Sequence, residues 1–380
     1  MKEVKTMQWQ PIKLTKIVLR KLKMSLRTPF TTSFGTEKDK TFCVLEVINE
    51  NGESGWGESV AVDLPLYNEE TTITNQHILE DIIIPQILGK EIQHPDEVGE
   101  MFKFIRRNRM AIATADNAVW DLFAKVNQKP LHAMLGGQKE TIEVGVSIGI
   151  QDSIKDLLIK IEEKLQEGRK KIKVKISPGK DVNVIKEVRR VFPDIPLMAD
   201  ANSAYTLKDI NLLKQLDDFH LLMIEQPLDY DDIVDHSRLQ KELETPICLD
   251  ESICSHRDAK KAIELGSCKI INIKIGRVGG LSEAKRIHDL CKDYNIPVWC
   301  GGMLETGIGR AHNIAISTLS QFQIPGDTGP SSQYWAEDII SPEIEVKNGL
   351  LQVPQNPGIG YAVDMEKIDK YTVYKKEFSL

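Results

Sequence analysis

The sequence predicts an α/β protein whose larger part is a (β/α)8 barrel, preceded by a smaller α+β module. Three observations predict it. Apolar runs that read as short strands recur near 142–149, 171–176, 196–200, 220–225, 246–249, 269–274, 297–300 and 322–326, with amphipathic stretches such as 154–165, 182–191 and 281–294 between them. Helical crossovers make a sheet parallel, and eight such units suit a closed barrel better than an open sheet. Several runs also end in a charged residue, at Lys175, Asp200, Glu225, Asp250 and Lys274, spaced by 25, 25, 25 and 24 residues. Finally, the chain before residue 137 has strands first and helices second, the order of an α+β unit.

In chain order, residues 12–26 alternate polar and apolar, which is a strand pattern. Residues 41–48 repeat it, and Asn51-Gly52 follows, a dipeptide suited to a type I′ hairpin turn into a third strand at 55–58. Helical spacing is expected over 70–87, 95–108 and 111–127; in the last, Ala111, Ala115, Val119, Leu122 and Phe123 share a face. A short helix at 131–135 ends in Gly136-Gly137, a stop signal that marks a boundary. The expected division is therefore a module over 1–137, a barrel over 138–345 and a final segment over 346–380. Two loops of the first module carry aromatic side chains: 27–35, with Phe30 and Phe34, and 63–67, with Tyr67.

The composition is that of an ordinary globular chain, 41% hydrophobic and 28% charged over 380 residues. A net charge of −7 argues against nucleic-acid or anionic-membrane partners. No apolar run is long enough to span a bilayer, and the first residues lack an apolar signal core. The six cysteines show no Cys-x-x-Cys spacing and read as buried thiols in a cytoplasmic protein.

A barrel brings the ends of all its strands to one face, where the active sites of such enzymes lie. Asp200, Glu225 and Asp250 would present three carboxylates to one point, and their mutual repulsion calls for a cation. Oxygen-only donors favour Mg²⁺, with Mn²⁺ as a substitute. Asn202 and Glu251 stand next to these residues and would support them. Lys173 and Lys175 are two apart on one strand, so both point inward. A lysine base needs its pKa lowered by roughly three units, and a neighbouring ammonium, a metal and burial all act that way. Lys274 lies four strands further on, across the barrel. A cation between two opposed lysines suits removal of a proton α to a carboxylate.

The motifs Lys173-Val-Lys175, Ala199-Asp200-Ala-Asn202, Ile224-Glu225-Gln-Pro227, Leu249-Asp250-Glu251-Ser252 and Ile273-Lys274-Ile-Gly276-Arg277 resemble those of the enolase superfamily, in its muconate-lactonizing subgroup. The stretches around Phe30, Tyr67 and Ser147, and Cys300-Gly-Gly302-Met303-Leu304-Glu305-Thr306-Gly307, are similar to the branch that holds o-succinylbenzoate synthases and N-succinylamino acid racemases. The resemblance implies that the first module caps the barrel and is completed by the C-terminus. It implies that Phe30 and Tyr67 close over the mouth, that Ser147, Gly302 and Met303 line the substrate, and that Arg277 supports the site. It further implies a cytoplasmic, Mg²⁺-dependent lyase of menaquinone biosynthesis. In that reaction Lys175 takes the α-proton of 2-succinyl-6-hydroxy-2,4-cyclohexadiene-1-carboxylate, and water then leaves. Lys173 assists Lys175, and Lys274 stays protonated. The alternative is a racemase in which Lys274 reprotonates the opposite face, and one protein can do both. A dipeptide epimerase fits less well, since the loop at Asp327 carries no second acid, and a non-catalytic barrel would waste the lysine-carboxylate set. The expected partner is a small carboxylate, and a homo-oligomer is expected.

Overall fold

The computed structural model describes residues 9–32 and 35–380, with the side chains of residues 30–37 outside the described set. The strands Ile12–Thr32, Gly35–Asn49 and Ser54–Glu58 form an antiparallel sheet, and the C-terminal strand Thr372–Ser379 adds to its open edge, pairing from Lys16↔Ser379 to Leu22↔Thr372. The alternation that predicted these strands is their burial pattern. Leu14, Ile17, Leu19, Cys43, Leu45 and Val47 pack with Ala111, Ala115, Ala118 and Leu122 of the helix Arg109–Val126. That helix crosses the third strand closely. A Cβ on Gly57 would stand 2.0 Å from the Thr114 carbonyl oxygen, and one on Gly55 2.3 Å from that of Ala118.

The hairpin differs from expectation. Only Gly52 of the Asn51-Gly52 pair has positive φ (81°), and the loop is four residues long. Asn49 Oδ1 accepts from the backbone N–H of Asn51 and Glu53, so a side-chain turn takes the place of a type I′ turn. The helical run after it is Thr72–His77, a π-helical turn Ile78–Ile83, then Ile84–Ile87. Of the helix expected over 95–108 only Asp96–Met101 forms.

Seven parallel strands follow in sequential order: Val146–Ile148, Ile172–Lys175, Leu197–Asp200, Ile224–Glu225, Ile247–Leu249, Ile270–Ile273 and Val298–Cys300. The run near 142–149 splits: Thr141–Glu143 pairs instead with Leu350–Gln352, and only Val146–Ile148 joins the barrel. The eighth position is two isolated parallel bridges, Val298↔Phe322 and Val144↔Gly326, rather than a regular strand. The barrel core is aliphatic, built from residues such as Val174, Ala199, Ile224, Leu249 and Ile273 against the surrounding helices. Among the described residues no helix is long and apolar enough to cross a membrane.

Candidate active site

The 25-residue interval is a register. Lys175 pairs with Asp200 across one strand boundary, and Asp200 with Glu225 across the next. Glu225 then pairs with Cys248, so Asp250 stands two residues beyond it, on the same face one pleat further out. Asp200, Glu225 and Asp250 are each at most 1% exposed.

Every one of these carboxylates is held by a cation of the protein. Lys173 Nζ lies 3.1 Å from Glu225, 3.3 Å from Asp200 and 3.0 Å from Asp327. Lys175 donates to Asp200 Oδ2 at 2.6 Å and also to Asn202 Oδ1. Across the barrel, Lys274 donates to Asp250 Oδ2 at 2.8 Å and sits 4.6 Å above the Tyr67 ring. The Arg277 guanidinium meets Asp250 Oδ1 and the Tyr67 hydroxyl, while its other nitrogens donate to the Ile253 and Asn272 carbonyls. Asn202 has φ 41° and donates from Nδ2 to Glu251 Oε1 at 3.0 Å.

Charge follows this arrangement. Burial pulls the Lys173 ammonium down, but Asp327, Glu225 and Asp200 together hold it well above an ordinary lysine. Burial acts on Lys274 in the same sense, and Tyr67, Glu251 and Glu225 more than offset it, so it stays a cation. Burial raises Asp200, yet Lys175 and Lys173 bring it below the usual carboxylate range. Glu225 is pushed up by burial and then by Asp200. Glu251 is pushed up mainly by burial.

Among the described residues, no group of three or more His, Cys, Asp or Glu side chains stands in a metal-holding arrangement. The chemistry of the donor set nonetheless fits a hard dication. Its donors at the ends of adjacent strands are oxygens, and buried Glu251 Oε2 has no hydrogen-bond partner. Glu251, pushed up mainly by burial, is a carboxylate with no ion pair among the described residues.

Of the expected substrate-lining residues, Tyr67 is in the site. Met303 packs with Tyr67, Val60 and Met110. Ser147 pairs in register with Lys173, and Gly302 lies beside Asp327. Phe30 and Phe34 fall outside the described side chains. Several site residues went unread in the sequence. Asn272 donates to Glu225 Oε1 at 2.8 Å, and Lys171 pairs with Asp327 at 3.2 Å over the Trp299 ring. Their signal was present: Lys171-Ile-Lys173-Val-Lys175 and Asn272-Ile-Lys274 repeat the two-residue alternation that aims side chains inward. Gly301 makes room for Lys274, whose Cε would lie 2.8 Å from a Cβ there. Lys40, buried on the second strand, donates to the Leu304 carbonyl at 2.9 Å and approaches Glu58 at 3.5 Å. Glu58 in turn accepts from Thr306 N, Thr306 Oγ1 and Gly309 N, fixing the loop that carries Met303.

Known proteins share this architecture. Residues 14–136 match the family model for the mandelate racemase / muconate lactonizing enzyme N-terminal domain, and 156–367 the enolase C-terminal domain-like model. An o-succinylbenzoate synthase of Geobacillus stearothermophilus is 60% identical over 97% of this chain and 98% of its own. An N-succinylamino acid racemase of Thermus thermophilus is 45% identical over 95% and 98%. The crystal structure of an enolase-superfamily member from Listeria innocua superposes with a TM-score of 0.94 at 45% identity, over 97% of this chain and 99% of that one. The chain therefore belongs to the mandelate racemase / muconate lactonizing enzyme family of the enolase superfamily.

Proposed function

We propose that this chain is an o-succinylbenzoate synthase, which dehydrates 2-succinyl-6-hydroxy-2,4-cyclohexadiene-1-carboxylate, and that N-succinylamino acid racemisation is its second activity. The observation that carries the reading is the pair Lys175 and Lys274, on opposite walls with three buried carboxylates between them. The 60% identity to a synthase over nearly the full length supports the first activity. The racemase at 45% supports the second.

Charge supports the substrate class. Lys171, Lys173, Lys175, Lys274 and Arg277 face Asp200, Glu225, Asp250, Glu251 and Asp327, five against five. With Lys175 neutral, as a base must be, a dication leaves this buried pocket one charge positive, which suits a substrate that brings a carboxylate. We place Mg²⁺, or Mn²⁺ in its stead, on Asp200, Glu225 and Asp250. Bound there, the ion would supply electrostatic stabilisation of the charge that builds up as the α-proton leaves.

The residues do the rest. Lys175 Nζ takes the α-proton, breaking the C–H bond, and the electron pair spreads into the carboxylate. The ring C–O bond then breaks, the leaving hydroxide takes the proton now on Lys175 Nζ and departs as water, and the ring becomes aromatic. Lys173, held as a cation, sets a fixed positive charge beside the base. Lys274 remains an ammonium, which suits it to stabilise the anion or to deliver a proton to the opposite face in racemisation. Tyr67 and Met303 cover the mouth, with Phe30 proposed beside them. Asn202, Glu251 and Arg277 orient the carboxylates. The division into a cap of 1–137, a barrel of 138–345 and a return of 346–380 belongs to the same proposal, supported by the C-terminal strand on the first sheet. A cytoplasmic site of action is supported by the six free cysteines.

The test is to give purified, Mg²⁺-loaded protein both substrate types. Loss of the ring-diene absorbance reports the synthase, and decay of optical rotation on N-succinyl amino acids reports the racemase. Racemisation without diene loss would overturn the assignment as a synthase.

A further inference from the structure

Away from the catalytic pocket, a cavity of about 810 Å³ lies between the segment 99–112, the turn and helix start at 254–261, and residues 279–286. Seven lysines and arginines line it against three carboxylates, and with Glu69, which pairs with Arg107 from outside the lining, the local excess is three positive charges in a chain of net charge −7. Four of the seven have an acid within 4.0 Å. Lys103 and Arg286 share Glu100, Lys261 meets Asp258, and Arg107 reaches Glu69. The guanidinium groups of Arg106, Arg109 and Arg257 have no ion pair or hydrogen bond among the described residues. Arg109 lies beside Gly279, which has φ 107°: its Cδ would stand 3.3 Å from a Cβ there.

The helix starts around the cavity are already capped by side chains. Glu70 accepts from Met110 and Ala111, Glu283 from His256, and Asp116 and Asn117 from Ser282 and Leu281. Recognition there falls to the arginine side chains rather than to free backbone N–H groups.

We propose that this cavity is a binding site for a diphosphate group carried by a small molecule. Guanidinium forks match phosphate oxygens two at a time. A diphosphate brings about three negative charges at neutral pH, close to the local excess, where a dicarboxylate brings about two. The volume falls in the range of small-molecule sites, roughly 300–1,000 Å³. Ile105 and Ile112 are the large apolar side chains of the lining, and it holds no Phe, Tyr or Trp. The site is set by charge, and it stands whether the catalytic pocket is a synthase or a racemase.

Titration calorimetry of Mg²⁺-loaded protein with inorganic pyrophosphate tests this, with ADP in a parallel arm. Pyrophosphate should bind the wild type, with affinity that falls as NaCl is added, because these charges are exposed. In R106Q/R109Q/R257Q the affinity should drop at least tenfold, while melting temperature and catalytic turnover stay at the wild-type level. Arg257→Gln alone, a surface change that leaves folding intact, should weaken binding about threefold. Equal affinity for ADP and pyrophosphate identifies the bare diphosphate as the determinant, and tighter ADP, lost in the same variant, identifies a nucleotide as its source. No binding of pyrophosphate at millimolar concentration, or undiminished binding in the triple variant, would overturn the site; the second result would move the ligand to the Mg²⁺-loaded catalytic pocket.

Discussion

Lys175 shares its ammonium between Asp200 Oδ2 and Asn202 Oδ1, and it is less buried than Lys173 behind it. That difference separates a side chain that can reach a substrate from one that holds a charge in place. Lys175→Ala should cut turnover by about 10²–10⁴-fold, the range for loss of a positioned base, while the circular dichroism spectrum is unchanged. Substantial residual turnover would remove Lys175 from the role. Lys40 acts at the same scale but through another segment. Lys40→Met takes the partner from Glu58 and the donor from the Leu304 carbonyl, and a broken buried pair costs about 3–5 kcal/mol. Lys40→Met/Glu58→Gln should recover part of that loss in urea unfolding; a double variant no better than the single one would mean that the pair is not coupled. Both lysines are single letters in the sequence, yet only one was legible. Lys175 ends an apolar run, where a charge is out of place. Lys40 follows a charged stretch, and its meaning depends on carbonyls 263 and 264 residues away.

Elements were legible where their periodicity is their burial pattern. The first two strands and the helix Arg109–Val126 are of that kind, each with an apolar face on one cluster. The eighth barrel position was legible only as a place: the run at 322–326 holds both bridges, at Phe322 and Gly326, but two bridged pairs do not make a regular strand. The hairpin was misread for a physical reason: the Asn49 side chain supplies acceptors that a backbone-only turn lacks, and it lengthens the loop. The third strand tests the close crossing of helix and sheet. Gly57→Ala puts a methyl group into the Thr114 carbonyl, where the neighbour is backbone and cannot step aside. It should lower stability by about 1–3 kcal/mol, the usual cost of overpacking, seen as a lower urea midpoint. Gly52→Ala, at an open position with φ 81°, should cost less, about 1 kcal/mol, through strain alone. An equal loss at both positions would argue against the crossing as the source.

At the scale of the molecule, the N-terminal sheet and the barrel are joined by polar contacts as well as apolar ones, and one of them titrates. Nothing local in the sequence marks the closure of the first sheet by residues 372–379, or the meeting of Asp116 with the helix Leu281–Asp293, since both contacts are long-range. Asp116 accepts from Ser282 Oγ at 2.6 Å and Ser282 N at 3.1 Å, and no part of it is exposed. Burial, with a smaller contribution from Asp96, pushes its carboxyl from 3.8 up to about 7, against the pull of the Ser282 hydrogen bonds. The folded chain thus binds this proton more tightly than the unfolded chain. Its contribution to stability is full below pH 3.8 and is lost as pH rises through 7. The largest amount at stake is about 4 kcal/mol. Asp116→Asn keeps an acceptor for Ser282 N and a donor for Ser282 Oγ but does not titrate. Between pH 5 and pH 8 the wild type should therefore lose about 2–3 kcal/mol relative to the variant. Glu70, also raised to about 7, is common to both proteins and cancels in the difference. Urea unfolding at pH 5, 6, 7 and 8 measures it. Parallel curves for the two proteins would mean that Asp116 is ionised in the fold throughout, its charge held by the Ser282 donors and the start of the helix behind them.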